Sequence, residues 1–450
     1  MNLSTLETGS YWIKNAHVPV ALLPLSNWQE TREGLALVNI YIHEGMIQQV
    51  LPALSLGEGL DVNENINLNI NLNIYQEASY DLQQGMILPG FVDIHTHLDK
   101  GQVWERAVNI DGTFATAVET IHKDEANWQP EELYRRMEFG LQCSYAHGTQ
   151  ALRTHLDAFG HLGRQGFQVF SELKKQWHDR LTLQAVALVS LDYYLTPAGV
   201  ELADLVAATG EILGGVAYPN PNLDAEIDRV FTLAKERGLD LDFHVDETDN
   251  PESRCLYHIA LAAIRHQFEG KITCGHCCSL AVQSPEVMAE TLKVVKEVGI
   301  SIVSLPMCNL FLQAREPGRT PRWRGVTAIQ ELQGAGIAVA IASDNCRDPF
   351  YSFGDHDMLE VLNQGVRIAH LDNNYCQVAG MVTNTAATIM GLPKIGKVIP
   401  RTPADLVLFR GRRYSELFAR SQHDRIVLRN GKPIDTSLPD YSVLDDLVLR

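Results

Sequence analysis

Apolar and polar positions change rhythm along the chain. Up to Val50 they form short β-type runs, Tyr11–Val18, then Ala36–His43, the turn Glu44-Gly45, and Met46–Val50. Residues 63–74, NENINLNINLNI, alternate Asn with aliphatic side chains at the period of a strand. Asn is a poor strand former, so a low-complexity insertion between two strands fits equally well. From Met86 the grammar changes. Apolar β-type runs recur at 86–97, 149–157, 181–191, 213–218, 239–246, 271–278, 300–308 and 337–344. Between them lie helix-like stretches such as Pro130–His147, Asp224–Arg237, Pro285–Val298 and Val326–Gly334. Eight strands alternating with helices predict an α/β fold, a (β/α)8 TIM-type barrel. A doubly wound open sheet would need a Gly-rich phosphate loop after its first strand, and none is present.

Helices are expected near 354–391, after which strand character returns in Asp405–Phe409 and Arg425–Arg429, followed by the turn Asn430-Gly431. The N- and C-terminal pieces are expected to pair into a small flanking β domain. The expected organisation is residues 1–85 and 396–450 in that domain and 86–395 in the barrel.

Composition narrows the function classes. The chain has 450 residues, 45% hydrophobic and 20% charged, the mix of an ordinary globular protein. A formal net charge of −18 argues against binding a phosphate backbone or an anionic lipid surface, so neither a nucleic-acid nor a membrane partner is expected. The uncharged stretch Val298–Ala314 is interrupted by Pro306, Asn309 and Gln313 and is too polar and short to span a bilayer. The N-terminus lacks a basic region, and Ala16–Leu25 is broken by His17 and Pro19, so a secretory signal is not expected. Eight cysteines are too few for a disulfide framework, and a cytoplasmic location is expected.

The sharpest local signal is the His-x-His of Gly90–His97, in which His95 and His97 sit two apart on a strand and share one face. At the C-terminal end of a barrel strand that face points to the mouth, where such folds keep their chemistry. Partners occur on later runs. Leu239–Glu247 ends in His244 with Glu247 three residues on, suited to metal ligand and acid/base respectively. Ile272–His276 ends in His276, and Ala338–Asp344 ends in Asp344. A lone Asp344 would read as a helix cap and a lone His276 as a structural histidine. Four such coincidences make the bland reading poor. Imidazoles with one carboxylate suit Zn2+ or Fe2+ and not Mg2+ or Ca2+, and a metal of that kind lowers the pKa of bound water to about 7.

The segments PGFVDIHTHLDK (89–100), RTHLD (153–157), HVDETDNPESR (244–254), GH (275–276), NLFLQAR (309–315) and SDNCRDPF (343–350) together resemble the amidohydrolase superfamily. Within it they resemble the bacterial cytosine deaminase and N-isopropylammelide amidohydrolase branch, over nearly the whole chain. The resemblance implies that His95, His97, His244 and Asp344 ligate one divalent metal, Zn2+ or Fe2+. It implies that Glu247 protonates a ring nitrogen, His276 polarises the nucleophile or stabilises the intermediate, and Asp344 accepts the water proton. The implied reaction is hydrolytic deamination of a small nitrogen heterocycle, a pyrimidine, purine or triazine, with release of ammonia. Its rivals are release of an alkylamine or opening of a cyclic amide, and a silent barrel with a structural role. Two-metal relatives carry a lysine on strand four, and the run 213–218 has none, so one metal is expected. Homo-oligomer assembly is likewise implied by resemblance.

Departures bear on the substrate. Ser190 stands where cytosine deaminase has the glutamine that reads the pyrimidine amide edge, Asn345 replaces an Asp, and Phe350 replaces a Trp. A hydroxyl does not reproduce a two-point amide contact, so cytosine itself is disfavoured. His155 and Asp157 are expected to line the pocket or to hold a structural hydrogen bond. Lys100 reads as a substrate contact or, more simply, a solvated lysine. Cys274 and Cys277 form a C-x-x-C without a second pair and read as core thiols. Arg315–Arg324, with four arginines, reads as a loop beside the pocket entrance.

Overall fold

The computed structural model describes residues 9–53, 78–373 and 375–448, so the Asn-rich stretch 63–74 lies outside the described residues. Strands β1 (Ser10–Pro19), β2 (Leu35–His43), β3 (Met46–Pro52) and β4 (Ser79–Asp81) form one sheet in the order β3-β2-β1-β4. The β2–β3 hairpin turns on Glu44 and Gly45, with φ of 47° and 79°, the left-handed pair that matches the twist of its strands.

The run 86–97 divides into two strands. β5 (Ile87–Pro89) joins a flanking sheet, and β6 (Phe91–Thr96) enters the barrel. The hinge is Gly90, where a Cβ would meet Gln150 Cδ at 3.0 Å and Arg429 Nη1 at 3.1 Å. A side chain there would crowd both, which the apolar rhythm alone does not reveal.

The barrel strands are β6, β7 (Thr149–Asp157), β8 (Thr182–Leu188), β9 (Leu213–Ala217), β10 (Leu241–Val245), β11 (Ile272–His276), β12 (Ser301–Ser304) and β13 (Val339–Ile341). They form two parallel arcs, β6-β7-β8 and β9 through β13. Parallel bridges Val186–Ile212 and Ser190–Val216 join β8 to β9, and Thr96–Asp344 joins β6 to the end of β13. All eight expected strands are present. The run 300–308 overran, because Pro306 opens the helix Pro306–Leu312 and pre-sets its first turn. The helix expected over Val326–Gly334 shrinks to Ile329–Gly334.

At the C-terminus β14 (Leu406–Leu408), β15 (Ile426–Arg429) and β16 (Lys432–Pro433) extend the sheet begun by β5, in the order β16-β15-β14-β5. Tyr11, Ile13, Val38 and Ile40 share one buried cluster with Leu406, Leu408 and Leu428, so the two chain ends hold a common core. Among the described residues no helix is long and apolar enough to cross a membrane.

Candidate metal centre and active-site pocket

β6 carries His95 inward and His97 just beyond its end, both on one face as the period of two requires. β10 brings His244 and the end of β13 brings Asp344 to the same mouth. The seam between β13 and β6 is locked from both sides. Asp344 N–H donates to the His95 carbonyl at 2.8 Å, Thr96 Oγ1 donates to the Asp344 carbonyl at 2.8 Å, and Ser343 Oγ donates to Asp93 Oδ2 at 2.5 Å. Asp344 itself has φ of 61° and His276 has φ of 67°, left-handed backbone that is uncommon for non-glycine residues.

Nε2 of His95 stands 3.2 Å from Nε2 of His244, which is 3.3 Å from Nε2 of His97. Asp344 Oδ1 lies 3.2 Å from His97 Nε2 and 3.5 Å from His95 Nε2. Burial holds all three imidazoles well below their ordinary pKa, so their lone pairs face one another neutral. Both Asp344 carboxylate oxygens are buried without a hydrogen-bond partner. Four electron-pair donors converging this closely are mutually repulsive unless a cation lies among them. Tetrahedral ligation with bonds of about 2.0–2.1 Å would space the donors roughly 3.3 Å apart, close to the separations found. The donor set fits a divalent ion of the zinc type.

A second donor group, His95, His155 and Asp242, lies directly beneath. Here Arg153 Nη1 holds Asp242 Oδ2 at 2.7 Å and offsets the carboxylate charge. The His155 ring is tilted against His95 with centroids 3.9 Å apart, and the residue is fully buried. It does not line the cavity.

Above the donors opens a cavity of about 270 Å3. Its floor is His97, His244, Glu247, His276 and Asp344, and its walls are mainly apolar, with Val189, Val216, Phe114, Val118, Ile121 and Phe350 among them. Ser190, Lys100 and Asn345 line it as well. Ser190 Oγ donates to Asp192, and Asn345 Nδ2 donates to Asp348 Oδ2 at 2.7 Å. Lys100 is buried, not solvated. Its Nζ is 2.7 Å from Asp157 Oδ1 and 5.5 Å from the centre of the Phe350 ring. Burial pulls the Lys100 pKa down, but Asp157 and Asp99 outweigh it and the ammonium is firmly charged.

Glu247 is the reverse case. Burial and the nearby Asp344 carboxylate push its pKa well above the usual range, and the hydrogen bond from Asn309 offsets this only in part. Burial takes His276 down to about 4. The carboxyl is thus biased toward its protonated form, and the imidazole is neutral at physiological pH.

Three contributors escaped the sequence reading. The helix Phe114–Asp124 covers the cavity, and its apolar spacing at Phe114, Val118 and Ile121 was available as a signal. Asn309, the first residue of NLFLQAR, reaches both Glu247 and His276, and nothing in a lone Asn announces that. Asp246, within HVDETDN, accepts from Cys255 N–H at 2.9 Å and Leu256 N–H at 3.0 Å, tying the strand end to the next helix. Cys274 and Cys277 are buried free thiols, as expected of core residues, and burial raises both pKa values. The arginines of 315–324 lie outside the cavity lining; Arg315 stacks on Phe311 at 4.2 Å.

A parallel barrel with this donor set at its mouth is the architecture of a metal hydrolase. The chain matches the amidohydrolase family over residues 139–435 and belongs to that family. It is similar to the pterin deaminase of Rhizobium rhizogenes, 46% identical over 448 residues, which span 99% of this chain and 98% of that one. It is also similar to the N-isopropylammelide isopropyl amidohydrolase of Pseudomonas sp. (strain ADP), 26% identical over 368 residues, 79% of this chain and 87% of that one. Among solved structures, 5-methylcytosine deaminase from Klebsiella pneumoniae liganded with 5-fluorocytosine superposes with a TM-score of 0.77 at 24% identity. That match covers 96% of this chain and 98% of that one, and it speaks for the fold.

Proposed function

We propose that this aminohydrolase, which acts on C–N bonds, deaminates a bicyclic 2-amino-4-oxo heterocycle of the pterin class. His95, His97, His244 and Asp344 would hold one divalent ion, zinc or iron. Bound there, such an ion supplies Lewis acidity and a lowered water pKa. The observation that carries the reading is the convergence of these four donors with Glu247 and His276 on the floor of one apolar-walled cavity. The choice of ring is supported by the full-length similarity to a pterin deaminase.

Each residue then has one task. Apolar walls and the Phe350 ring exclude water and hold a flat heterocycle edge-on to the floor. Lys100 is a charged donor for a ring carbonyl, and Ser190 and Asn345 meet the polar edges. Glu247 gives its proton to the ring nitrogen next to the amino-bearing carbon, which makes that carbon electrophilic. His276 donates a hydrogen bond to the oxygen added there. Asp344 takes a proton from the attacking water and returns one to the leaving amino group. Water adds, ammonia departs, and the proton left on the added oxygen returns to Glu247, so that the ring keeps a carbonyl where the amine was. His155 steadies His95 from beneath.

Buried free thiols fit a reducing cytoplasmic setting, the charge of −18 fits a small-molecule partner in place of nucleic acid, and a homo-oligomer follows from the family resemblance. Ammonia release from the zinc-loaded protein tests the assignment, with pterin, guanine, cytosine, 5-methylcytosine and N-isopropylammelide compared at equal concentration. Pterin is expected to give the highest kcat/KM. Isopropylamine release from N-isopropylammelide exceeding pterin turnover would overturn the ring assignment.

A further inference from the structure

We infer that Asn309 is a positioning residue that fixes where the protons of the acid pair sit, turning the Nε2–H of His276 and the Oε2–H of Glu247 toward the cavity. The inference rests on the roles given to Glu247 and His276 under the proposed function.

Asn309 lies on the helix Pro306–Leu312, just after β12, and is fully buried. Its Nδ2 is 2.9 Å from Glu247 Oε1 and 3.0 Å from His276 Nδ1, and these two atoms are 3.5 Å apart. An amide nitrogen carries two hydrogens and no lone pair, so both neighbours must accept. A neutral imidazole that accepts on Nδ1 carries its proton on Nε2. Nε2 of His276 has no partner in the protein, and the ring lines the cavity. In the same way, a neutral carboxyl that accepts on Oε1 carries its proton on Oε2. One side chain thus sorts both protons to the reacting side. With the amide reversed, Glu247 and His276 would spend their hydrogens on Asn309 and present only acceptors to substrate.

Asn309 itself does not line the cavity, so its replacement should act on kcat and leave KM and metal content alone. The telling comparison is Asn309→Asp against Asn309→Ala. Asp matches Asn in shape but offers at most one donor where the amide offers two, and so draws the protons back from the cavity. We expect kcat to fall about 10²-fold for Asn309→Asp and about 10-fold for Asn309→Ala, at unchanged KM and metal content. A residue that only fills space gives the opposite order, with Asp the milder change; that order, or loss of metal in both variants, overturns the inference.

A second measurement needs no substrate. Two-bond 1H–15N correlation on the zinc-loaded, 15N-histidine-labelled protein reads the His276 tautomer, assigned by the signal missing in His276→Gln. We expect Nε2–H in the wild type and Nδ1–H in Asn309→Asp. An Nδ1–H tautomer in the wild type overturns the inference whatever the turnover. The expected tautomers without pterin turnover support Asn309 in this role and overturn only the choice of ring.

Discussion

Glu247→Gln separates proton delivery from everything else the site does. The swap is nearly isosteric, and Glu247 is not among the four converging donors. Its Oε1 accepts from Asn309 at 2.9 Å, a bond the Gln carbonyl can keep. Burial and Asp344 bias the carboxyl toward its protonated form, which Gln mimics in shape and charge while lacking the transferable proton. Positioned acid–base groups contribute about 10²–10⁴-fold to rate. A fall in kcat of about 10³-fold is expected, equivalent to about 4 kcal/mol of barrier, with KM within a few-fold and bound metal unchanged. The assay pairs ammonia release at saturating pterin with metal analysis of the same sample. Retention of more than roughly a tenth of the turnover, far above the loss expected of an acid, refutes the reasoning; so does loss of the metal.

The same carboxyl has a stability signature of defined sign. Its folded pKa lies above the unfolded value of roughly 4.3. Its contribution is therefore complete below that pH and is lost as pH rises through the folded pKa. In chelated protein, Glu247→Gln should gain stability relative to wild type as pH climbs from about 5 to 8. A stability difference that stays constant, or moves in favour of wild type, over that range in urea titrations would contradict the raised carboxyl pKa.

Three further outcomes are expected. His244→Ala should lower metal content and rate together, and full occupancy in that variant would mean that the donor set is wrong. Asp157→Asn leaves the Lys100 ammonium buried without its 2.7 Å partner. The cost should be about 3 kcal/mol, the low end for a broken buried pair, because Asp99 and Asp348 still face it; urea denaturation showing no loss would refute this. Gly275→Ala would place a methyl 3.0 Å from His95 Cε1 and 3.1 Å from its Nδ1. Displacing a ligand from behind should weaken metal binding about 10–100-fold, and a chelator competition that reads wild-type affinity would show that the ring yields freely.

Strand ends were the legible part of this molecule. An apolar run that stops at a His or Asp marks the mouth of a parallel barrel, so His95, His97, His244 and Asp344 could be gathered from the sequence before their 3.2–3.5 Å separations were seen. What lay beyond reach depends on long-range packing. Lys100 reads as a surface lysine until β7 brings Asp157 beside it, and His155 reads equally as a pocket or a structural residue until its ring is seen 3.9 Å from that of His95. Asn309 carries no local pattern at all. Gly90 divides a continuous apolar run because Gln150 and Arg429 close around it, a constraint set by distant residues. The proposed ring was not legible either: Ser190 argued against cytosine without pointing to any other heterocycle.

The most direct test of a single-ion deaminase is a titration. Zinc is added back in steps to chelated protein, and ammonia release from pterin is followed with metal bound per chain. Turnover should be absent without the ion, rise linearly, and level at one ion per chain with one ammonia per pterin consumed. Turnover in the metal-free protein, or a plateau reached only at two ions, would contradict it.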